Sequence, residues 1–338
     1  MKTNLLTTAL LFISVALFAQ NNGNKTILLD SLRIPTTDKN YAYIRIVEDY
    51  KSTQNLYTVS EYYKSGKLSM KAFTKNKDNL KLEGLRVDYY ENGNKKQESN
   101  YIDNNLNGKE LQWYENGNKK SEKEITWDDQ NKNTITKIIQ FWNKDGQQTI
   151  IDSNGQYETT EENLYEKGEI KNGHKQGVWE GKNLKENYSF SEVYNEGKFI
   201  SGISTDTNNN KLPYKELMTK PTPAKGIPHF YQHIGRNYKT PKTQGLSGKV
   251  YLSFVVDKDG SLTDFRILRD LGYGTGVEGI RVIASYGNWI PGKMRGMPAK
   301  VSFSIPISIK AIEGNSNSNN TGAFFKSEMK RVTNNRWQ

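Results

Sequence analysis

The sequence predicts an α+β protein in two parts: an N-terminal antiparallel β-hairpin repeat sheet and a small αββαβ domain after it. Three observations predict this. An aromatic–Asn–Gly motif returns at regular intervals through the N-terminal part of the chain. A short stiff stretch follows, Lys220-Pro221-Thr222-Pro223-Ala224. Beyond it, two runs of alternating apolar residues flank a segment with helical spacing.

Residues 1–20 read as an export signal. Lys2 supplies a positive start, residues 5–18 an apolar run, and Ala19 a small residue at a cleavage point. The run is short against the roughly 20 apolar residues that a membrane span needs. A cleaved signal and an uncleaved anchor both stay open, and the membrane is a partner only in the second case. Either way the expected location is the periplasm or cell envelope, with inner-membrane anchoring if the segment is retained.

The expected repeat region covers residues 24–212. Tyr62-Tyr63-Lys64-Ser65-Gly66-Lys67 returns as Tyr89-Tyr90-Glu91-Asn92-Gly93-Asn94 and as Trp113-Tyr114-Glu115-Asn116-Gly117-Asn118. Gly93 and Gly117 stand 24 residues apart, as do Gly84 and Gly108. Weaker copies end at Gly146, Gly168 and Gly197. A fixed period in this range marks a repeat architecture. Asn-Gly favours a type I′ turn, and the residues around it suit a two-stranded hairpin. A lone hairpin is marginal in water, whereas stacked hairpins bury a shared aromatic ladder. The pattern resembles MORN-type repeats, in the variant found in antitoxin-like repeat proteins. Asn172-Gly173-His174-Lys175-Gln176-Gly177-Val178-Trp179 carries the same N-G-x-x-x-G-x-W spacing. That resemblance implies either a packed structural sheet or a face for protein, glycan or lipid.

Residues 213–224 are expected to be a linker, 225–312 the C-terminal domain, and 313–338 a disordered basic tail. In the domain, residues 249–256 alternate: Val250, Leu252, Phe254 and Val256 on one face, Tyr251, Ser253 and Val255 on the other. Asp257-Lys258-Asp259-Gly260 can close a hairpin, because Gly260 tolerates positive φ, and residues 262–268 return as a strand. Thr275 can cap the following helix with its hydroxyl. Val277, Ile280 and Ala284 form a stripe suited to packing on the sheet. Trp289-Ile290-Pro291-Gly292 turns the chain, and Trp289 is expected beside Phe254. The last strand sets Val301, Phe303, Ile305, Ile307 and Ile309 against Ser302, Ser304, Pro306 and Ser308. Pro306 cannot donate to a ladder, so this strand is expected at an edge.

These residues carry a second resemblance. The strand–turn containing Asp257 and Gly260, the Trp289-x-Pro291-Gly292 motif, the Gly296-x-Pro298 motif and the amphipathic final strand together look like the C-terminal domain of TonB energy transducers. Residues 230–238 and Pro241 resemble the short helix and proline that precede that domain. One departure is that Gly276 and Val277 stand where the family's helix opens with acidic residues. The resemblance implies a non-catalytic task, in which an edge strand takes up the N-terminal strand of an outer-membrane receptor. The expected binding residues are Val301, Ser302, Phe303, Ser304, Ile305 and Ile307. Coverage of this edge by the tail or by a homodimer partner is the alternative.

Other chemistry finds little support. Cysteine is absent, which excludes disulfides, thiolate metal sites and a Cys nucleophile. His229 and His233 share a helix face, but Phe230 stands where a zinc-protease helix needs Glu. The stretch 206–211 lacks the sixth-position Gly of a calcium loop. Residues 272–276 lack the Lys of a phosphate loop. No metal, no cofactor and no enzymatic activity are expected. The net charge of +11 is a solvated basic surface or a patch for an anionic polymer or lipid. Lys and Arg are scattered and no nucleic-acid motif accompanies them, so nucleic acid is not an expected partner. The functional expectation is a cell-envelope protein that binds an outer-membrane receptor or another envelope protein by β-strand addition. The alternative is a divergent TonB energy transducer driving nutrient uptake. Against it, residues 5–19 lack the His that couples a transducer to its motor, and nine prolines are few for a spacer across the periplasm.

Overall fold

The computed structural model describes residues 23–130 and 133–310. The expected signal segment and basic tail lie outside the described residues. Among the described residues the fold is mostly β, with two short helices. The first nine strands are β1 (Lys25–Leu29), β2 (Tyr43–Val47), β3 (Tyr57–Tyr63), β4 (Leu68–Thr74), β5 (Gly84–Tyr89), β6 (Lys95–Ile102), β7 (Asn105–Leu106), β8 (Gly108–Trp113) and β9 (Lys119–Asp128). The next eight are β10 (Asn133–Trp142), β11 (Gln148–Ile151), β12 (Asn154–Glu161), β13 (Leu164–Lys171), β14 (His174–Asn183), β15 (Tyr188–Asn195), β16 (Lys198–Thr205) and β17 (Lys211–Tyr214). Among the described residues these seventeen form one long antiparallel sheet. The chain divides into two compact units. One holds the described residues up to Gly181 with Tyr194–Lys198, the other Lys182–Val193 with the described residues from Phe199.

In the first unit the turns correct the type I′ expectation for the Asn-Gly motif. Gly93 N–H donates to the Tyr90 carbonyl and Tyr90 N–H to the Asn94 carbonyl, both at 2.9 Å. Gly93 has φ 94°, and Glu91 and Asn92 are not left-handed. Three residues lie between Tyr90 and Asn94, so a two-residue I′ loop does not fit. The result is a type I turn closed by a left-handed glycine, with a bulge between Asp88 and Tyr89. Gly66, Gly117 and Gly146 close their turns in the same way. Type I′ geometry occurs at the other ends of the strands, as at Asp103-Asn104, with φ of 47° and 68°.

The doubled aromatic has a structural task. Tyr63 donates its hydroxyl to the Tyr89 carbonyl at 2.7 Å, Tyr90 to that of Trp113 at 2.9 Å, and Tyr114 to that of Trp142 at 2.9 Å. The second aromatic of each repeat thus staples the next repeat at its bulge, where the strand ladder is interrupted. Burial pushes the Tyr114 hydroxyl up to about 12, so it stays a donor. The paired lysines cover the rings. Lys95 lies over Trp113 and Lys119 over Trp142, at 5.6 and 4.8 Å from the ring centres. Buried Val47, Val59, Met70, Ala72 and Leu82 form an apolar cluster below. Further along, Phe141, Tyr157, Trp179 and Tyr194 follow one another at ring separations of 4.5, 5.7 and 6.2 Å.

In the second unit, the chain continues through β18 (Met218–Thr219), β19 (Thr222–Pro223), α1 (Gly226–Asn237), β20 (Ser247–Val256), β21 (Leu262–Arg269) and α2 (Thr275–Ala284). It ends with β22 (Trp289–Ile290), β23 (Gly292–Met294), β24 (Met297–Ala299) and β25 (Val301–Lys310). A three-stranded sheet has the order β21-β20-β25, and two small sheets are β18-β23-β24 and β19-β22. The core is Val250, Leu252, Phe254 and Val256 of β20, Phe230 and Ile234 of α1, Val282 and Ile283 of α2, and Ile305, Ile307 and Ile309 of β25. Burying each such side chain contributes roughly 1.5–3 kcal/mol.

Three expectations change here. The stretch 213–224 is paired rather than free. Met218 and Thr219 face Met294 and Lys293, and Thr222 and Pro223 face Ile290 and Trp289. Extended residues next to proline are suited to such strand pairs. The inward stripe of α2 is Thr275, Gly276, Gly279, Val282 and Ile283, while Val277 is 64% exposed. Glycines lie inward because Gly279 sits against Leu252 and Gly276 against Ile267, so the helix approaches the sheet closely. Thr275 is the first helical residue rather than the cap. Its hydroxyl donates to Asp270, whose carboxylate also accepts the N–H groups of Gly272 and Gly276 at 3.2 and 3.1 Å. Asp270 thus serves the helix start from the preceding loop.

Candidate functional site

β25 pairs with β20 along its whole length, from Val256 opposite Val301 to Ser247 opposite Lys310. Among the described residues no strand pairs with its other side. Pro306 stands opposite Tyr251. Having no N–H, Pro306 suits a pair whose main-chain groups point away from β20. Antiparallel pairs alternate, so Ser302, Ser304 and Ser308 share that orientation, and their N–H groups face the free side. Val301, Ile305 and Ile307 are buried and hold the strand onto the core. Phe303 was expected to be buried with them but is half-buried. Its ring packs against Trp289 and Phe254 at 5.1 and 5.7 Å, which places it at the margin of the aromatic cluster.

The motif residues explain how this edge is held rigid. Trp289 is 3% exposed and lies among Phe230, Phe254 and Phe303, with ring centres 5.1–5.4 Å away. Its backbone N–H donates to the Gly260 carbonyl at 2.8 Å. Gly260 has φ 85°, and a Cβ there would lie 1.9 Å from the Trp289 carbonyl oxygen. The turn at Asp257 and the Trp289 motif are therefore one contact, and only glycine permits it. Asp257 pairs with Lys300 at 2.7 Å, which holds its carboxyl below the usual range. After Trp289, half-buried Pro291 leads into β23, where Gly292 faces Ala299 and Lys293 faces Pro298. Arg295 and Gly296 form the connecting turn, with φ of 51° and 75°.

That turn is anchored by residues the motifs did not announce. Glu192, fully buried, accepts from Arg295 Nε at 2.7 Å and from the Tyr214 hydroxyl at 2.8 Å. Arg295 lies 4.1 Å from the centre of the Phe190 ring, and its carbonyl accepts from Ser204 at 2.7 Å. Burial first, and then the bond to Glu192, raises the Tyr214 hydroxyl above its ordinary value. The signal for Glu192 was its phase, since Tyr188, Phe190, Glu192 and Tyr194 are buried alternately along β15. A carboxylate in that row needs a cation.

The histidines tie the helices together. His229 meets the Tyr286 hydroxyl at 3.1 Å, and His233 the Val282 carbonyl and Ser285 hydroxyl at 3.2 and 3.1 Å. Among the described residues no group of three or more His, Asp or Glu converges on a metal position. Asp206 closes the β16–β17 turn by accepting the N–H groups of Asn208 and Asn210, each at 2.8 Å. Among the described residues no helix is long and apolar enough to cross a membrane.

Comparison with known families finds the MORN repeat variant at residues 82–103 and 106–125, the segments that carry β5–β6 and most of β7–β9. No curated protein matches the chain.

Proposed function

We propose that this chain is a non-enzymatic cell-envelope protein that binds an extended segment of an outer-membrane or periplasmic partner by β-strand addition along β25. The observation that carries the reading is the unpaired side of β25 in the order β21-β20-β25. An edge strand presents main-chain donors and acceptors at the spacing an extended peptide needs. Here they sit on a strand locked by buried Val301, Ile305 and Ile307. The resemblance of residues 221–312 to TonB C-terminal domains supports the same use of the edge. Each added main-chain bond contributes about 0.5–1.5 kcal/mol net. Side chains Ser302 and Ser304 stand off the pairing direction, so selectivity for them is weak.

The test is a titration of the full chain with peptides from the N-termini of outer-membrane receptors, comparing Ser304→Pro with Ser304→Ala. Proline deletes an outward donor and alanine does not. The reading predicts that Ser304→Pro weakens binding about three- to tenfold and that Ser304→Ala leaves it unchanged. Equal affinities for the two variants would refute binding through this edge.

A further inference from the structure

The repeat-bearing unit holds a concavity that the edge-strand reading does not use. A cleft of about 340 Å³ opens across β2–β6. That lies at the lower end of small-molecule sites, which run roughly 300–1,000 Å³. Tyr43, Tyr63, Tyr89 and Tyr101 line it, with Arg33 and Arg86 between them.

The cations outnumber their partners. Glu61, 1% exposed, is shared by Arg33 and Arg45. Arg86 and Asp88 pair through two bonds, at 2.8 and 2.7 Å, and Arg86 also bonds Tyr101, which still leaves guanidinium N–H groups beyond these contacts. Lys96 lies at the rim over Tyr90, 5.5 Å from the ring centre, with no carboxylate partner among the described residues. Exposed Glu91, on the neighbouring turn, adds to the burial that raises the Tyr63 hydroxyl, so it offsets part of this excess. The crowding is felt at Arg45, whose pKa is lowered by burial first and then by Arg33 and Arg86.

The walls are also fixed. Arg33 has φ 61°, a backbone state rare for a residue with a Cβ. Glu61, Ser69 and the Tyr43 ring, 4.4 Å away, hold its guanidinium in place. Tyr63 is pinned through its hydroxyl to the Tyr89 carbonyl. Strained positions held by their surroundings in this way cluster at ligand sites.

We propose that this cleft binds an anionic saccharide of one or two rings bearing a carboxylate. Tyrosine faces cover the apolar face of a sugar ring. Guanidinium and ammonium groups donate to the carboxylate. Gln97 donates one N–H to Glu110 at 2.9 Å and accepts from Gln112 at 3.4 Å, which leaves its second N–H and one carbonyl lone pair for a hydroxyl. The polar walls offer no apolar channel for an acyl chain.

The experiment is isothermal titration of the full chain with digalacturonate, with its methyl ester, and with acetate as an anion without a ring. Lys96→Gln serves as the site variant, because the exposed Lys96 can be changed without disturbing the buried pairs. The expected result is saturable binding of digalacturonate, at least tenfold weaker for the ester, and reduced about fivefold or more by Lys96→Gln with an unchanged melting temperature. Lack of saturable binding at millimolar digalacturonate overturns the proposal. So does competition by acetate at equal concentration, which marks a simple anion site, or affinity unchanged in Lys96→Gln.

Discussion

Replacing Trp289 with alanine tests the packing that holds the candidate edge. A buried tryptophan removes about 150–250 Å² from water. At about 25 cal/mol per Å² this amounts to about 4–6 kcal/mol, an upper bound because the unfolded chain already covers part of that area. Aromatic-to-alanine changes in cores cost about 3–5 kcal/mol, and Trp289, with three aromatic neighbours, belongs in that range. Its indole Nε1 is buried without a hydrogen-bond partner. Trp289→Phe therefore keeps ring contacts and removes an unsatisfied donor, so its loss is below about 1.5 kcal/mol. Because the chain has two units, the suitable assay is native-state hydrogen exchange at the buried amides of β20, which reports opening of that sheet specifically. A loss below about 1 kcal/mol for Trp289→Ala, or equal losses for alanine and phenylalanine, would refute the reasoning.

Glu192→Ala removes the buried carboxylate that pairs with Arg295 and costs about 3–5 kcal/mol, read by thermal denaturation; a change under about 1 kcal/mol would show that the buried pair does not hold the Arg295 turn. Gly93→Ala costs about 1–2 kcal/mol for its left-handed backbone alone, since no atom lies within 4 Å of the new methyl, whereas Gly260→Ala costs more because that methyl meets the Trp289 carbonyl; equal urea midpoint shifts would contradict the contact. Asp270 is held below the ordinary carboxylate range by Thr275 first and then by backbone N–H groups. A depressed folded pKa contributes stability that is present above the unfolded value and lost as pH falls through the folded one. The stability difference between the natural chain and Asp270→Asn should therefore shrink on acidification below the carboxylate range, and a constant difference in pH-resolved denaturation would disprove the role.

The repeats were legible because their physics is local. Tyr-Glu-Asn-Gly-Asn fixes a turn within five residues, and the period of 24 places each turn beside the next. The turn type was not legible. Asn-Gly alone suits I′, and the number of residues between bonded positions, which register decides, selects the bulged form. The alternation of β20 and β25 showed their inward faces directly, and Pro306 marked the edge. Phe303 escaped because period two gives the face of a strand but not where the core ends. Val277 misled for a related reason. The helix spacing allowed more than one stripe, and close approach of Gly276 and Gly279 to the sheet chose it. The contact between Gly260 and Trp289 and the Glu192–Arg295 pair join residues far apart in sequence, so only tertiary packing reveals them. The cleft beside Arg33 is of the same kind, since it collects side chains from five strands and a loop.

The central claim is that β25 receives a partner strand, and hydrogen exchange on the full chain tests it most directly. Amide exchange of residues 301–310 is measured alone and with a saturating extended peptide from an outer-membrane receptor N-terminus. The account predicts selective slowing at Ser302, Ser304 and Ser308, whose N–H groups face outward. Val301, Phe303, Ile305 and Ile307, already bonded to β20, should change little. Binding that leaves those three serine amides unprotected, or that protects only amides of the repeat-bearing unit, would contradict it.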